Sequence, residues 1–112
     1  MGRNRKKGAM DMPVICSEEN RTLTAEVSGE LDHHRAREIM EELDRRIDAA
    51  LPRVLTLDLK NLTFTDSSGI AVLLRAFRRV KTVGGTMRVI HTPAQAGKVF
   101  RAAGLERIIC FE

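Results

Sequence analysis

Within five residues, Thr65-Asp66-Ser67-Ser68-Gly69 gathers three hydroxyls, a carboxylate and a glycine. Hydroxyls and carboxylates at a helix start cap it, each accepting from a backbone N–H that has no partner inside the helix. The same N–H groups and the positive end of the helix dipole suit a phosphate, and Gly69 leaves room for close backbone approach. A phosphate on serine adds about −1.5 to −2 charges. Asp66 would repel it, so the local surface would change sharply without anything unfolding. A serine nucleophile on a strand-to-helix elbow requires Gly-x-Ser-x-Gly. Thr65 stands where Ser67 would need its first glycine, and Asp66 and Ile70 flank Ser68, so hydrolase chemistry fits poorly. His33, His34 and His91 could supply a base, but no spacing ties one to either serine.

Asp32-His33-His34 invites a metal reading. Adjacent residues on a helix point about 100° apart, so the two imidazoles are badly placed to share one ion. Capping and first-turn roles are the simpler expectation. Cys16 and Cys110 lie in apolar stretches far apart and belong to no Cys-x-x-Cys pair, and they read as two small buried side chains. Arg75, Arg78, Arg79 and Lys81 read as a solvated helix face or, more sharply, as a docking surface for an acidic partner.

These groups must be held by an α/β scaffold. Val14 to Ser17 and Thr22 to Ser28 read as strands joined by the polar turn Glu18-Glu19-Asn20-Arg21, with Leu23, Ala25 and Val27 alternating against polar neighbours. Gly29 to Asp32 breaks that pattern. Ala36, Ile39, Met40, Leu43, Ile47 and Ala50 then recur in steps of three and four, an amphipathic helix from His33 to Ala50 with Asp32 as N-cap and Pro52 closing it. Val54 to Leu59 is dense enough in apolar and β-branched residues for a central strand covered on both faces. Asn61 to Asp66 reads as a connection. Ile70, Leu73, Leu74, Phe77 and Val80 mark a second helix, stopped by Gly84-Gly85. Thr86 to His91 is a further strand, and Thr92-Pro93 starts a third helix lined by Ala96, Val99, Phe100 and Ala103 and ended at Gly104-Leu105. Arg107 to Phe111 closes the series. The order β-β-α-β-α-β-α-β predicts a single mixed β-sheet with an N-terminal hairpin and amphipathic helices packed on it.

The chain has 112 residues, about one domain, and its 43% hydrophobic content can bury one core. It has no Trp or Tyr and four Phe, which argues against a stacking platform for sugars or single strands. No apolar run nears the roughly 18 residues of a membrane span, and no apolar signal core follows the N-terminal charges, so a cytoplasmic protein without membrane contact is expected. The formal charge of +4 is equally uneven. Arg3, Arg5, Lys6 and Lys7 fall in residues 1–10, which hold no acid, and the rest of the chain is balanced. Residues 1–11 therefore read as a disordered basic head, either a solvated tail, a cloning remnant or an arm that touches phosphates. The folded part, 12–112, offers no electrostatic reason for nucleic acid.

Gly29-Glu30-Leu31-Asp32-His33-His34, followed by Leu62-Thr63-Phe64-Thr65-Asp66-Ser67-Ser68-Gly69-Ile70, resembles the STAS-domain anti-sigma factor antagonists, and within them those of sporulation control. Gly84-Gly85, Gly104-Leu105 and the ending Ile108 to Glu112 also fall where that family has similar residues, so the likeness spans about residues 12–112. The resemblance implies a non-enzymatic switch. Such an antagonist binds an anti-sigma factor that is also a serine kinase and so frees a sigma factor. The kinase, with its own ATP and magnesium, phosphorylates the first serine of Asp-Ser-Ser-Gly, and a PP2C-type phosphatase reverses it. Ser67 is then the expected phosphoacceptor, with Asp66, Ser68, Gly69 and Ile70 framing it and Glu30 and Asp32 in the neighbouring docking loop. No cofactor is expected on this chain, and the expected state is a monomer or weak dimer. A stress-response antagonist or a stressosome-type STAS subunit is the alternative. Two departures from the family stand out. Ala71 replaces a frequent glycine, and close relatives continue past the position of Glu112 into another helix, whose loss would expose apolar surface.

Overall fold

The computed structural model describes residues 13–112. The basic head lies outside the described residues. Seven strands and three α-helices follow in the order β1 (Val14–Glu19), β2 (Thr22–Val27), β3 (Gly29–Leu31), α1 (His33–Ala50), β4 (Val54–Asp58), β5 (Leu62–Thr65), α2 (Ser68–Thr82), β6 (Thr86–Ile90), α3 (Ala94–Ala102) and β7 (Cys110–Phe111). A 3₁₀ turn at Leu105–Arg107 precedes β7. The main sheet runs β1-β2-β4-β6-β7, antiparallel in the first pair and parallel thereafter.

The α/β class and the N-terminal hairpin are as the pattern predicts. The hairpin turn is tighter than expected. Asn20 and Arg21, both at positive φ (52° and 63°), make a two-residue turn whose twist matches that of the strands, and β1 and β2 extend up to it.

Alternation along the strands divides the main sheet into two faces. Leu23, Ala25, Val27, Leu55, Leu57, Met87 and Val89 join the core beneath the helices, where α1 packs on α2 and α2 on α3. The opposite face of β4 is covered, as its apolar density implied, but by side chains instead of helices. Arg88 Nε donates to Thr56 Oγ1 at 2.9 Å, and His91 and Lys60 lie over Asp58, leaving Thr56 and Asp58 buried.

The expected single sheet is incomplete in one respect. Gly29–Leu31 and Leu62–Thr65, read as a break and a connection, form a separate two-stranded parallel ladder. Each strand is too short to show alternation, and their pairing spans more than thirty residues. The last strand shrinks to Cys110–Phe111 because Leu105 and Ile109 turn inward through the 3₁₀ turn. Cys110 is exposed and Cys16 half-buried, so neither is the buried side chain its apolar neighbourhood implied. In α2 the buried residues are Gly69, Val72, Leu73, Ala76 and Val80, while Ile70, Leu74 and Phe77 pack at the margin of the core. The sheet face of that helix is thus rotated from the stripe of largest side chains, because the small residues Gly69 and Ala76 allow close approach. No helix among the described residues is long and apolar enough to cross a membrane.

Candidate functional site

α1 and α2 both begin beside the β3–β5 ladder. β3 runs into α1 through Asp32, and β5 runs into α2 through Asp66 and Ser67. Asp32 is the N-cap of α1, as its position implied, with its carboxylate accepting from His34 N–H at 3.0 Å and Arg35 N–H at 3.1 Å.

At α2 the capping falls differently from the expectation that the hydroxyls share it. Ser67 occupies the cap position but makes no side-chain cap hydrogen bond. Asp66 does the work: Oδ1 accepts from Ser68 N–H at 2.8 Å, and Oδ2 accepts from His33 N–H at 3.3 Å. One carboxylate therefore joins the starts of both helices. The Ser68 N–H holds the Asp66 carboxyl below the usual carboxylate range, with the His33 N–H adding to the effect. The Ser67 side chain is left exposed and released from structural duty.

Thr65 anchors this junction. It is fully buried, with Oγ1 lying 3.1 Å from Leu31 O and 3.0 Å from Asp66 O. Gly69 is buried against it, and a Cβ there would come within 2.1 Å of Thr65 Oγ1. The glycine of the motif thus makes room for a neighbouring side chain. Ile70 is half-buried against the core and Ser68 is half-buried in the first turn.

Around Ser67 the surface is mixed. Glu30 is exposed on β3, and its register partner Phe64 on β5 is 42% exposed, unusual for so large an apolar side chain. The Glu30 carbonyl accepts from Arg35 Nη1 at 3.2 Å, which holds the β3–α1 bend. Beside Ser68, a shallow groove of about 380 Å³ between α1 and α2 is lined by His33, Ala36, Arg37, Met40 and Ala71 among others. The two histidine rings are exposed with centroids 5.6 Å apart, inclined at 63°.

The basic face expected on α2 is partly consumed inside the molecule. Arg75 donates twice to Asp44 Oδ2, at 3.0 and 2.8 Å, and Arg79 pairs with Asp48 on the same helix α1. Arg78 and Lys81 remain exposed, so the surface available to an acidic partner is half of what the charges alone promised. Sequence reasoning also missed Gln95, whose carboxamide bonds both backbone groups of Thr65 from α3. It reads in sequence as an ordinary first-turn residue, thirty positions away.

Comparison with known proteins points one way. The family profile described as the STAS domain matches residues 14–112. The anti-sigma F factor antagonist of Paenibacillus polymyxa is 30% identical over 100 residues, covering 89% of this chain and 86% of its own. The anti-sigma-B factor antagonist of Bacillus subtilis is 25% identical over 89% of this chain and 90% of its own. Among solved structures, the anti-sigma factor antagonist SpoIIAA in its unphosphorylated form superposes with a TM-score of 0.75 at 25% identity, over 88% of this chain and 87% of that one. The phosphorylated form of SpoIIAA from Bacillus gives 0.67 at the same identity, over 88% and 90%. With the mixed sheet, the paired helix starts and a match running from β1 to the last residue, the chain belongs to the STAS-domain family.

Proposed function

We propose that this protein is an anti-sigma factor antagonist that binds an anti-sigma factor serine kinase and is switched off by phosphorylation of Ser67. The observation that carries the reading is the division of labour at α2, where Asp66 caps the helix and Ser67 stands exposed with no capping role. A hydroxyl free of structural duty can be modified without unfolding its surroundings. The relatives' names support the antagonist role, and SpoIIAA having been solved in unphosphorylated and phosphorylated forms supports the switch.

The physical effect follows from the neighbours. Phosphoserine would place about two negative charges beside Asp66, at the end of the segment whose Phe64 is paired in register with Glu30, on a surface otherwise suited to docking. Exposed Phe64 offers apolar area, and the groove beside Ser68 offers a place for a partner side chain. ATP and magnesium belong to the kinase in this scheme, a PP2C-type phosphatase resets the serine, and the chain itself is a cytoplasmic regulator, not an enzyme. Sporulation control is the favoured pathway, on the Asp-His-His at 32–34. The likeness to the anti-sigma-B factor antagonist keeps stress response as the second reading.

The test is intact-mass spectrometry after incubation with anti-sigma F-type and anti-sigma B-type kinases and magnesium ATP. One phosphate gained by the wild type and absent from Ser67→Ala is the expected result, and the kinase that adds it names the pathway. Ser67→Ala should stay bound to that kinase and Ser67→Asp should bind poorly. Ser67→Asp binding as tightly as wild type would overturn the charge switch, and a phosphate that survives in Ser67→Ala would move the site, to Ser68 first.

A further inference from the structure

Among the described residues, β5 has a strand partner on one edge only, where Thr65 is in register with Leu31 of β3. On the other side a single side chain stands in for the missing strand. Thr65 N–H donates to Gln95 Oε1 at 3.0 Å, and Gln95 Nε2 donates to Thr65 O at 2.8 Å. A carboxamide carries a donor and an acceptor side by side, as a peptide group does, so it can complete one rung of a ladder. Thr65 is thereby gripped from three directions: β3 through Leu31, α2 through the close approach of Gly69, and α3 through Gln95. Two residues further on stands Ser67, itself without a capping hydrogen bond.

We propose that Gln95 is a positioning residue for the modification of Ser67, holding the end of β5 so that the serine is offered in one arrangement. The inference rests on the phosphorylation reading above. Gln95 is exposed on the first turn of α3, so shortening it admits water to the Thr65 amide and carbonyl. Those groups are then hydrated, not orphaned, and overall stability changes little. Order in the segment 64–67 is what disappears. A kinase must restore that order on binding, which raises KM and leaves the bound geometry, and hence kcat, as before.

Two variants separate this from mere packing. Gln95→Ala removes both hydrogen bonds and the bulk, while Gln95→Met keeps the bulk and loses both bonds. Both are expected to raise the KM for phosphorylation by about three- to tenfold with kcat unchanged, and to speed exchange of the Thr65 amide about tenfold, or ~1.4 kcal/mol of lost protection. The melting temperature of Gln95→Ala should stay within about 2 °C of wild type, whereas Gln95→Met, whose bulk keeps water from the buried Thr65 groups, should melt lower. If Gln95→Met keeps the wild-type KM and Thr65 protection, the side chain acts by bulk and the clamp is overturned. A wild type phosphorylated on Ser67 beside variants with unchanged KM sinks the positioning role alone. A wild type that no kinase in the panel phosphorylates sinks the phosphorylation reading and this role with it, while the exchange data still show whether Gln95 orders the segment.

Discussion

Gly69 and Thr65 sit so close that a Cβ on the glycine would fall 2.1 Å from Thr65 Oγ1 and 3.3 Å from Thr65 Cβ. The threonine hydroxyl is also engaged with Leu31 O and Asp66 O, so it has nowhere to retreat without losing them. Gly69→Ala is therefore expected to destabilise by about 1–3 kcal/mol, an overpacking cost. Urea unfolding in a double-mutant cycle with Thr65→Ala checks the cause, because the cost should shrink once the hydroxyl is gone. An equal cost in both backgrounds would place the strain elsewhere.

Asp66 is held ionised by the Ser68 and His33 N–H groups, so its folded pKa lies below the unfolded value. A depressed carboxylate contributes stability that is present above the unfolded pKa, about 4, and is lost as pH falls through the folded value. Asp66→Asn should accordingly be less stable than wild type at neutral pH, with the gap closing below about pH 4. Denaturation midpoints across pH 3 to 7 measure this, and a gap independent of pH would exclude the charge as its source.

The ion pairs between α1 and α2 are unequal in consequence. Asp44 is buried and its Oδ1 has no partner, so Arg75 carries most of what compensates that carboxylate, with Arg79 Nη1 more distant at 3.6 Å. Arg75 is itself half exposed, which lowers its worth. Arg75→Ala is expected to lower stability measurably and Arg78→Ala, on the open face, to change it less. Equal losses in chemical denaturation would remove the interhelical pair as the explanation.

The β1–β2 turn holds Arg21 at φ 63°, a region costly for a residue with a side chain. Asn-Gly is the pair this turn geometry favours, so Arg21→Gly should stabilise by about 0.5 kcal/mol despite losing the Arg21 Nη2 bond to Leu51 O. Differential scanning calorimetry would register a higher melting temperature, and a lower one would mean that the bond to Leu51 outweighs the backbone relief.

Several elements were legible in the chain because their determinants are local. The steps of three and four from Ala36 to Ile47 place α1 and its buried face, and Asp32 caps it where the residue order says it must. The alternation of Leu23, Ala25 and Val27 sets which face of β2 meets the core. The Asp-Ser-Ser-Gly motif, with Gly-Glu-Leu-Asp-His-His upstream, marked the family, and it stands at a helix start as its residues imply.

The roles inside that motif depended on the folded chain. Adjacent residues compete for the same capping N–H groups, and nothing in their types says that Asp66 wins and leaves Ser67 free. That outcome follows from α1 starting next door, where His33 offers Asp66 a second donor. The β3–β5 ladder, the Gln95 rung and the pairing of Arg75 with Asp44 likewise join residues thirty or more positions apart. Hydrophobic periodicity and capping preference act within a few residues along the chain, so the sequence by itself determined the three helices, the strands of the main sheet, their order and the motif that opens α2. Which carboxylate caps, which arginine is spent and which side chain bonds the end of β5 are contests between distant groups, and they are decided only when the sheet and helices pack.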